Sequence, residues 1–533
     1  MLALIALLCA APDDLAVRIR HLDSVAQAWS PAPSTDSSRV AFLTTLFGTR
    51  QAASMAVDGS YPTQLTDEPG GVRAVRWVPG PAKELAVVAL RDGHRRLLLV
   101  DEQGSAAQEI DKAPGDQMWG GFTRDGKRLY YATVDSAGKA TLRVFAFDSR
   151  KAADLAALPA PPAPSGRSSP PTPAIVTPTS AGPATTPPPA LAAVPVKDTV
   201  AIEDALKGLL LLGPLSADQR TLLATCKRGD GDVLYLIDVN TARATQLTPE
   251  AGHFRLPRFT PDNKVVYVLT DAGRKQSGVD AITIATKARK AVYVPSAGDL
   301  GAFSVSEDGH RLAVAVESGG ETLFSLLDLP SLRVQPLAAP PSGALAKSDI
   351  NESPIVWDRA GERLFFGWRL SNDTTDVWEL RLGYGAPVRL TRSPRPGLPR
   401  DAIPRPSLAK LPAALAWLWM PPDATRPRVA VLASAGELQP VFDKRIAALN
   451  FAGMAVLAVQ GPGAQKIALD YLRDAPDLDP KGPLLLNFDG QEVEEPSRWS
   501  GVVGPRGSGL ALDIDQPDLQ ALVKYALHGG SAL

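Results

Sequence analysis

Hydrolytic chemistry needs a base, and this 533-residue sequence offers five histidines for the role: His21, His94, His253, His310 and His528. They are scattered, so no pair sits at the short spacing that would suggest a shared site or a metal ligand set. Cys9 and Cys226 are too few for a disulfide framework or a thiolate zinc site; neither a metal nor another cofactor is expected, and Cys226 reads as a small buried hydrophobe. A serine nucleophile on a strained strand-to-helix turn reads G-x-S-x-G, and that pattern occurs nowhere in the sequence. Ser508, in Gly504-Pro505-Arg506-Gly507-Ser508-Gly509, is a serine in a glycine-rich turn. It follows no parallel strand into a helix, and the segment lacks the Lys-Ser/Thr pair of a phosphate loop. His528, followed by Gly529-Gly530, has no serine partner in view and reads as a terminal residue. The acidic groups Asp230-Gly231-Asp232, Asn372-Asp373 with Asp376, and Asp513-Ile514-Asp515 lack the spacing of a calcium loop and read as turns or solvated faces.

The elements that would position such residues follow from a repeat. A short apolar run recurs at Arg39-Val40-Ala41-Phe42, Glu84-Leu85-Ala86-Val87, Arg128-Leu129-Tyr130-Tyr131, Thr221-Leu222-Leu223-Ala224, Lys264-Val265-Val266-Tyr267, Arg311-Leu312-Ala313-Val314 and Arg363-Leu364-Phe365-Phe366. Counted from Val40, the intervals are 45, 44, 93, 43, 47 and 52 residues, and an insert accounts for the long one. An aromatic precedes most of these runs (Trp29, Trp77, Phe122, Phe259, Phe303, Trp357), with a turn dipeptide such as Asp125-Gly126, Asp262-Asn263 or Asp308-Gly309 between. Several units close on Leu-Thr: Leu65-Thr66, Leu247-Thr248 and Leu390-Thr391. Several short strands in each period of about 45 residues predict an all-β, seven-bladed β-propeller over residues 22–398.

Residues 156–196 differ in kind. Thirteen prolines fall between Pro159 and Pro195, with Ala, Thr and Ser making most of the rest. Such a composition cannot bury enough apolar surface to offset ordering, and a disordered insert between blades three and four is expected.

From residue 407 onward strands alternate with helices. Arg428–Ala433, Ala455–Val459 and Pro483–Phe488 read as continuous apolar strands, Val441–Phe451, Ala464–Arg473 and Asp518–Leu527 as helices, and Arg498–Val503 as a last strand. That alternation predicts a small parallel α/β domain over 407–533.

A propeller followed by an α/β unit resembles the prolyl oligopeptidase family of serine peptidases, with a TolB-like propeller. Met55 to Thr66 resembles a TolB-type blade ending, and Leu415 to Pro422 with Arg428 to Ser434 resembles the first strands of that family's hydrolase domain. The resemblance implies an oxyanion loop after the first parallel strand, where Ser434-Ala435-Gly436-Glu437 stands instead of a His-Gly-Gly-Pro-like segment. It also implies a nucleophile after Leu484-Leu485-Leu486, where the chain reads Asn487-Phe488-Asp489-Gly490-Gln491, so Asp489 occupies the serine position. Asp489 as a carboxylate nucleophile would still require a histidine base and an oxyanion hole. The family places its acid and histidine on later strands, beyond residue 533. The hydrolase-like domain is therefore expected to be truncated and degenerate.

Met1–Ala10 is apolar, too short to span a bilayer, and reads as a signal peptide with cleavage after Ala10; a lipoprotein through Cys9 is disfavoured because Leu8 precedes it. Fifty-six Lys and Arg against 57 Asp and Glu leave a net charge of -1, which fits no nucleic-acid binder. The expectation is an exported, periplasmic or extracellular protein without catalytic residues, whose propeller binds a protein or peptide of the cell envelope and which inserts in no membrane. The competing expectation is an active serine-type hydrolase using Ser508 or Ser434 with His528.

Overall fold

The computed structural model describes residues 12–155, 200–248, 252–434, 438–487, 492–503 and 518–528, apart from residues 82, 106, 349, 351, 412, 413 and 423. The Met1–Ala10 run and the Pro-rich insert of residues 156–196 lie outside the described residues. The chain divides into two compact units, one of residues 1–110, 273–279 and 292–533, the other of residues 111–272 and 280–291.

Seven antiparallel meanders follow one another, spanning residues 28–64, 72–109, 116–154, 209–246, 254–293, 299–336 and 343–389. They are the seven blades of a β-propeller. Each recurring apolar run is the second strand of its blade. In Arg39–Thr44 every residue after Arg39 is buried, and in Arg311–Ser318 every residue between the ends is. Such a strand is covered on both faces, which is why its sequence is continuously apolar rather than alternating. Blades 3, 4 and most of 5 form the second unit, where Cys226 is fully buried and burial pushes its thiol up to about 12.

The repeated motifs have local physical jobs. The Leu amide of the Leu-Thr pair donates to the carbonyl of a third-strand residue, and the Thr hydroxyl accepts from that residue's own amide. This holds for Leu65-Thr66 on Ala52, Leu247-Thr248 on Leu234 and Leu390-Thr391 on Val377. The turn between first and second strands carries a Ser or Thr two residues before an Asp: Ser34/Asp36, Thr123/Asp125, Ser216/Asp218, Thr260/Asp262 and Ser306/Asp308, each hydroxyl donating to its carboxylate at 2.5 to 2.6 Å. Two of the repeated aromatics bind the blade before them. Trp77 Nε1 donates to Ala32 O and Trp357 Nε1 to Ser304 O, both at 3.0 Å and both at the penultimate residue of a first strand.

In the first unit, the last blade packs on the first, with Phe365 and Val377 among Ala28, Val40, Phe42 and Met55. The first strand of blade 7 is broken into Gly343–Leu345 and Ile355–Trp357. From the intervening segment Glu352 pairs with Arg76 on the first strand of blade 2 (Nε to Oε2 3.1 Å).

Helix α1 (Pro12–Asp23) precedes the first blade, carries His21 in its last turn and has no counterpart in the sequence expectation. Ile19, Leu22 and Val25 recur at threes and are buried with Phe442, Ala447, Ala448, Leu519 and Val523 of the α/β part. Burial of each contributes roughly 2 kcal/mol.

The α/β part holds one six-stranded sheet: β1 (Ser407–Lys410), β2 (Leu415–Trp419), β3 (Arg428–Ser434), β4 (Ala455–Gln460), β5 (Asp479–Leu486) and β6 (Gly501–Val503), in the order β1-β2-β4-β3-β5-β6. β3 to β6 are mutually parallel and β2 runs antiparallel to β4. Helices α2 (Lys444–Phe451) and α4 (Leu519–His528) cover one face, α3 (Ala464–Asp474) the other. Three boundaries depart from expectation. Helix α2 begins at Lys444 rather than Val441, because Asp443 in extended conformation caps it by accepting from the Arg445 amide. β5 begins at Asp479, ahead of the apolar run. Of the expected last strand, only Gly501–Val503 pairs, after a 3₁₀ turn at Pro496–Arg498.

Candidate functional site

In a parallel sheet, ligands bind outside the carboxyl ends of the strands where the strand order reverses. Here β3 connects to β4 on one side and β5 to β6 on the other, so the strand order reverses between the ends of β3 and β5. Ser434 ends β3 and Asn487 follows β5, and both are buried. The Gly461 amide donates to Ser434 O at 2.9 Å and the Asn487 amide to Val503 O at 2.8 Å. Gln460, the last residue of β4, accepts from the Leu438 amide at 3.1 Å. On α3, Gln465 donates to Glu492 O and accepts from the Glu494 amide, both at 2.9 Å, which fixes the segment after β5.

Blades 6 and 7 meet this part of the chain. The Phe442 amide donates to Leu370 O at 2.9 Å, a main-chain bond from the β3–α2 connection to the second strand of blade 7. A charged group is gathered beside it: Arg369 on that strand, Glu317 on the second strand of blade 6, and Asp443 and Arg445 at the start of α2. Burial would raise the Asp443 carboxyl. The Arg445 charge, its hydrogen bonds and the Arg369 charge outweigh that and hold it at about 2. Burial lowers the Arg369 pKa, against the favourable charges of Asp443 and Glu317. Sequence reasoning missed all four residues. The available signal was a charge closing an otherwise apolar run, Arg369 after Phe365-Phe366-Gly367-Trp368 and Glu317 after Val314-Ala315-Val316.

Of the catalytic candidates named from sequence, only Ser434 and His528 fall among the described residues, and they are not brought together. Asp489 and Ser508 lie outside the described residues. His528 is the last residue of α4, and the preceding carbonyls of Ala526 and Leu527 accept from Arg428 Nη1 at 3.4 and 3.3 Å. Arg428 begins β3 whereas Ser434 ends it, so the end of α4 and Ser434 stand at opposite edges of the sheet, roughly 20 Å apart at strand rise. His94 and His310 sit at hairpin turns of blades 2 and 6, and His253 Nδ1 pairs with Asp271 at 2.9 Å. No group of three or more His, Cys, Asp or Glu side chains able to hold a metal occurs among the described residues.

Among solved structures, the chain is similar to puromycin hydrolase (TM-score 0.66, 13% identity, covering 96% of this chain and 82% of that one). It is similar to a prolyl endopeptidase (TM-score 0.66, 13% identity, 93% and 74%). The fold is prolyl-oligopeptidase-like. The likeness extends to the acylaminoacyl peptidase of Pyrococcus horikoshii (TM-score 0.59, 11% identity, 91% and 78%). No protein-family profile and no curated protein matches the sequence. Within this prolyl-oligopeptidase-like fold, the charged group of Arg369, Glu317, Asp443 and Arg445 lies where blades 6 and 7 meet the α/β sheet.

Proposed function

We propose that this chain is a non-catalytic member of the prolyl-oligopeptidase-like fold, exported from the cytoplasm, whose propeller binds a protein or peptide of the cell envelope. One observation carries the reading. If the α/β sheet is hydrolase-like, β5 leads to the nucleophile, and a helix must follow to complete the elbow that exposes it. Between Leu486 and Gly501 the described residues, 487 and 492–500, hold only the single 3₁₀ turn Pro496–Arg498. The sequence there places Asp489 where a serine is required. The separation of Ser434 from the end of α4 also argues against a displaced Ser434–His528 pair. Loss of one triad member lowers a serine hydrolase by about 10⁴- to 10⁶-fold, and here Asp489 stands at the serine's sequence position while no α-helix follows β5 among the described residues up to Gly501.

The neighbours named above are peptidases and a puromycin hydrolase, so the test must be able to find activity. Purified protein is incubated with a fluorophosphonate probe and, separately, with a panel of peptide and aminoacyl amide substrates. The expected result is no covalent adduct and no turnover. An adduct on one serine, Ser508 or Ser434 for instance, that disappears on substitution by Ala would overturn the proposal. Export is tested by sequencing the amino terminus of the mature protein from the native host, with Ala11 expected.

A further inference from the structure

The opposite edge of the α/β sheet, where the parallel strands begin, carries a feature that the carboxyl-edge site does not use. Between β2, the end of α3 and the connection to β5 lies a cleft of about 630 Å³, within the size range of small-molecule sites. Its floor is apolar. Leu418, Met420, Ile467 and Tyr471 line it, each only half-buried, at the fringe of the core beneath α3. Four neighbouring half-covered apolar side chains on a concave surface lose nothing further by accepting an apolar body and gain by its removal from water.

The rim is charged, and its sign is not balanced. Asp470, Asp474 and Asp477 line the cleft together with Arg473. Arg473 reaches Asp470 at 3.3 Å and Asp474 at 3.4 Å, and Asp477 stands exposed beside them; with Arg426, which donates to Leu478 O at 3.5 Å, two cations face three carboxylates. Helix α3 ends at the same place. Ala475 turns extended with ψ 110°, and Pro476 has no N–H to offer the Leu472 carbonyl. The negative end of the helix dipole therefore adds to the carboxylates. Apolar floor and net-negative mouth together select one ligand chemistry. An anion meets repulsion at the rim, a neutral apolar body leaves the rim unused, and a large polycation cannot fill the floor.

We propose that this cleft binds an organic monocation: an aromatic or aliphatic amine whose body lies over Leu418 and Ile467 against the Tyr471 ring, with its ammonium between Asp477 and the end of α3. The site is separate from the carboxyl edge and holds whether or not the chain has catalytic activity.

Titration of the full chain with 1-naphthylmethylamine, followed by calorimetry, tests this, with 1-naphthoate and 1-naphthalenemethanol as anionic and neutral counterparts of the same shape. The expected result is saturable one-to-one binding of the amine in roughly the 0.1–1 mM range, about tenfold tighter than the naphthoate, and weakened by salt. Asp477→Lys should weaken the amine about tenfold and reverse the preference. Ile467→Trp should abolish binding of all three by filling the floor. Asp477 is exposed, so its replacement leaves folding intact even if the Ile467 variant does not fold. No saturation by about 5 mM amine, equal affinity for amine and naphthoate, or an unchanged amine Kd in Asp477→Lys would each overturn the proposal.

Discussion

Gly320, at the tip of the hairpin between the second and third strands of blade 6, lies directly against Trp417 of β2: a Cβ built on it would stand 2.2 Å from Cζ2 of the indole and 2.9 Å from Cδ of Pro440. The hairpin seats on the α/β sheet because this residue has no side chain. Its neighbour Gly319 has positive φ as well (61° against 82°), but a Cβ there meets nothing within 4 Å. The pair separates backbone strain from seating. Gly319→Ala should cost about 1 kcal/mol, the left-handed penalty alone, and Gly320→Ala about 2–4 kcal/mol, because overpacking is added. Urea denaturation gives both values, and faster proteolysis of residues 392–406 should accompany the Gly320 variant only.

Acid should loosen the propeller through its turns. The Ser34 hydroxyl, then the Ser38 amide and hydroxyl, hold the Asp36 carboxyl at about 2, and Thr123, Thr260 and Ser306 lower Asp125, Asp262 and Asp308 in the same way. Unfolded carboxyls titrate near 3.9. The contribution of these turns is therefore complete above about pH 4 and is lost as the pH falls towards 2. Melting temperatures measured from pH 6 down to pH 2 should fall less steeply in the combined variant Ser34→Ala, Asp36→Asn than in the parent. Equal slopes would remove the turn carboxylates from the explanation.

The Leu-Thr closures should be unequal. Thr248→Val leaves one buried amide, Leu234, without its acceptor and should cost about 1–2 kcal/mol, and Thr66→Val, which does the same to Ala52 and also removes the donor to Gln51 Oε1 at 2.8 Å, should cost about 2 kcal/mol. Thr391 does more, since its hydroxyl also donates to Asp376, a fully buried carboxylate that pairs with Arg389 at 2.5 Å. Thr391→Val is expected to cost about 3 kcal/mol, read from denaturant midpoints under one set of conditions.

The Arg76–Glu352 pair joins the first strand of blade 2 to the segment that interrupts the first strand of blade 7, across blades that are not sequence neighbours. Both side chains are about one-third exposed or less, so the coupling should be modest. A double-mutant cycle with Arg76→Met and Glu352→Gln should give about 1 kcal/mol, reduced in 0.5 M salt. Zero coupling at low salt would mean that the contact only marks proximity.

Much of the propeller is legible in the sequence because each blade solves the same packing problem seven times. Runs such as Val40-Ala41-Phe42 and Leu312-Ala313-Val314 sit between two neighbouring blades, and only apolar residues suit both sides. Local closures such as Leu65-Thr66 are legible for the same reason. The turn rule was only half visible, because Asp125-Gly126 reads as a turn without showing that Thr123 two residues back completes it. Helix α1 was obscured because the sequence beside it, Met1–Ala10, carries a stronger and different signal. The start of α2 was misplaced because Val441 and Phe442 are apolar for a tertiary reason, Phe442 packing under α1, and not from helical periodicity. Arg369, Glu317, Asp443 and Arg445 are far apart in the chain and meet only through folding, so no spacing could reveal them.

The way the chain leaves blade 3 and enters blade 4 has a practical consequence. Residues 151–154 form the outermost strand of blade 3, and residues 200–201 pair along the outermost strand of blade 4 before the chain runs inward to Leu209. Both flanks are therefore sheet rims, and lengthening a loop costs only about 0.6 kcal/mol per doubling. A reporter protein, an affinity handle or a crosslinker can be spliced between residues 156 and 199 and carried into the native host with the strands of blades 3 and 4 intact.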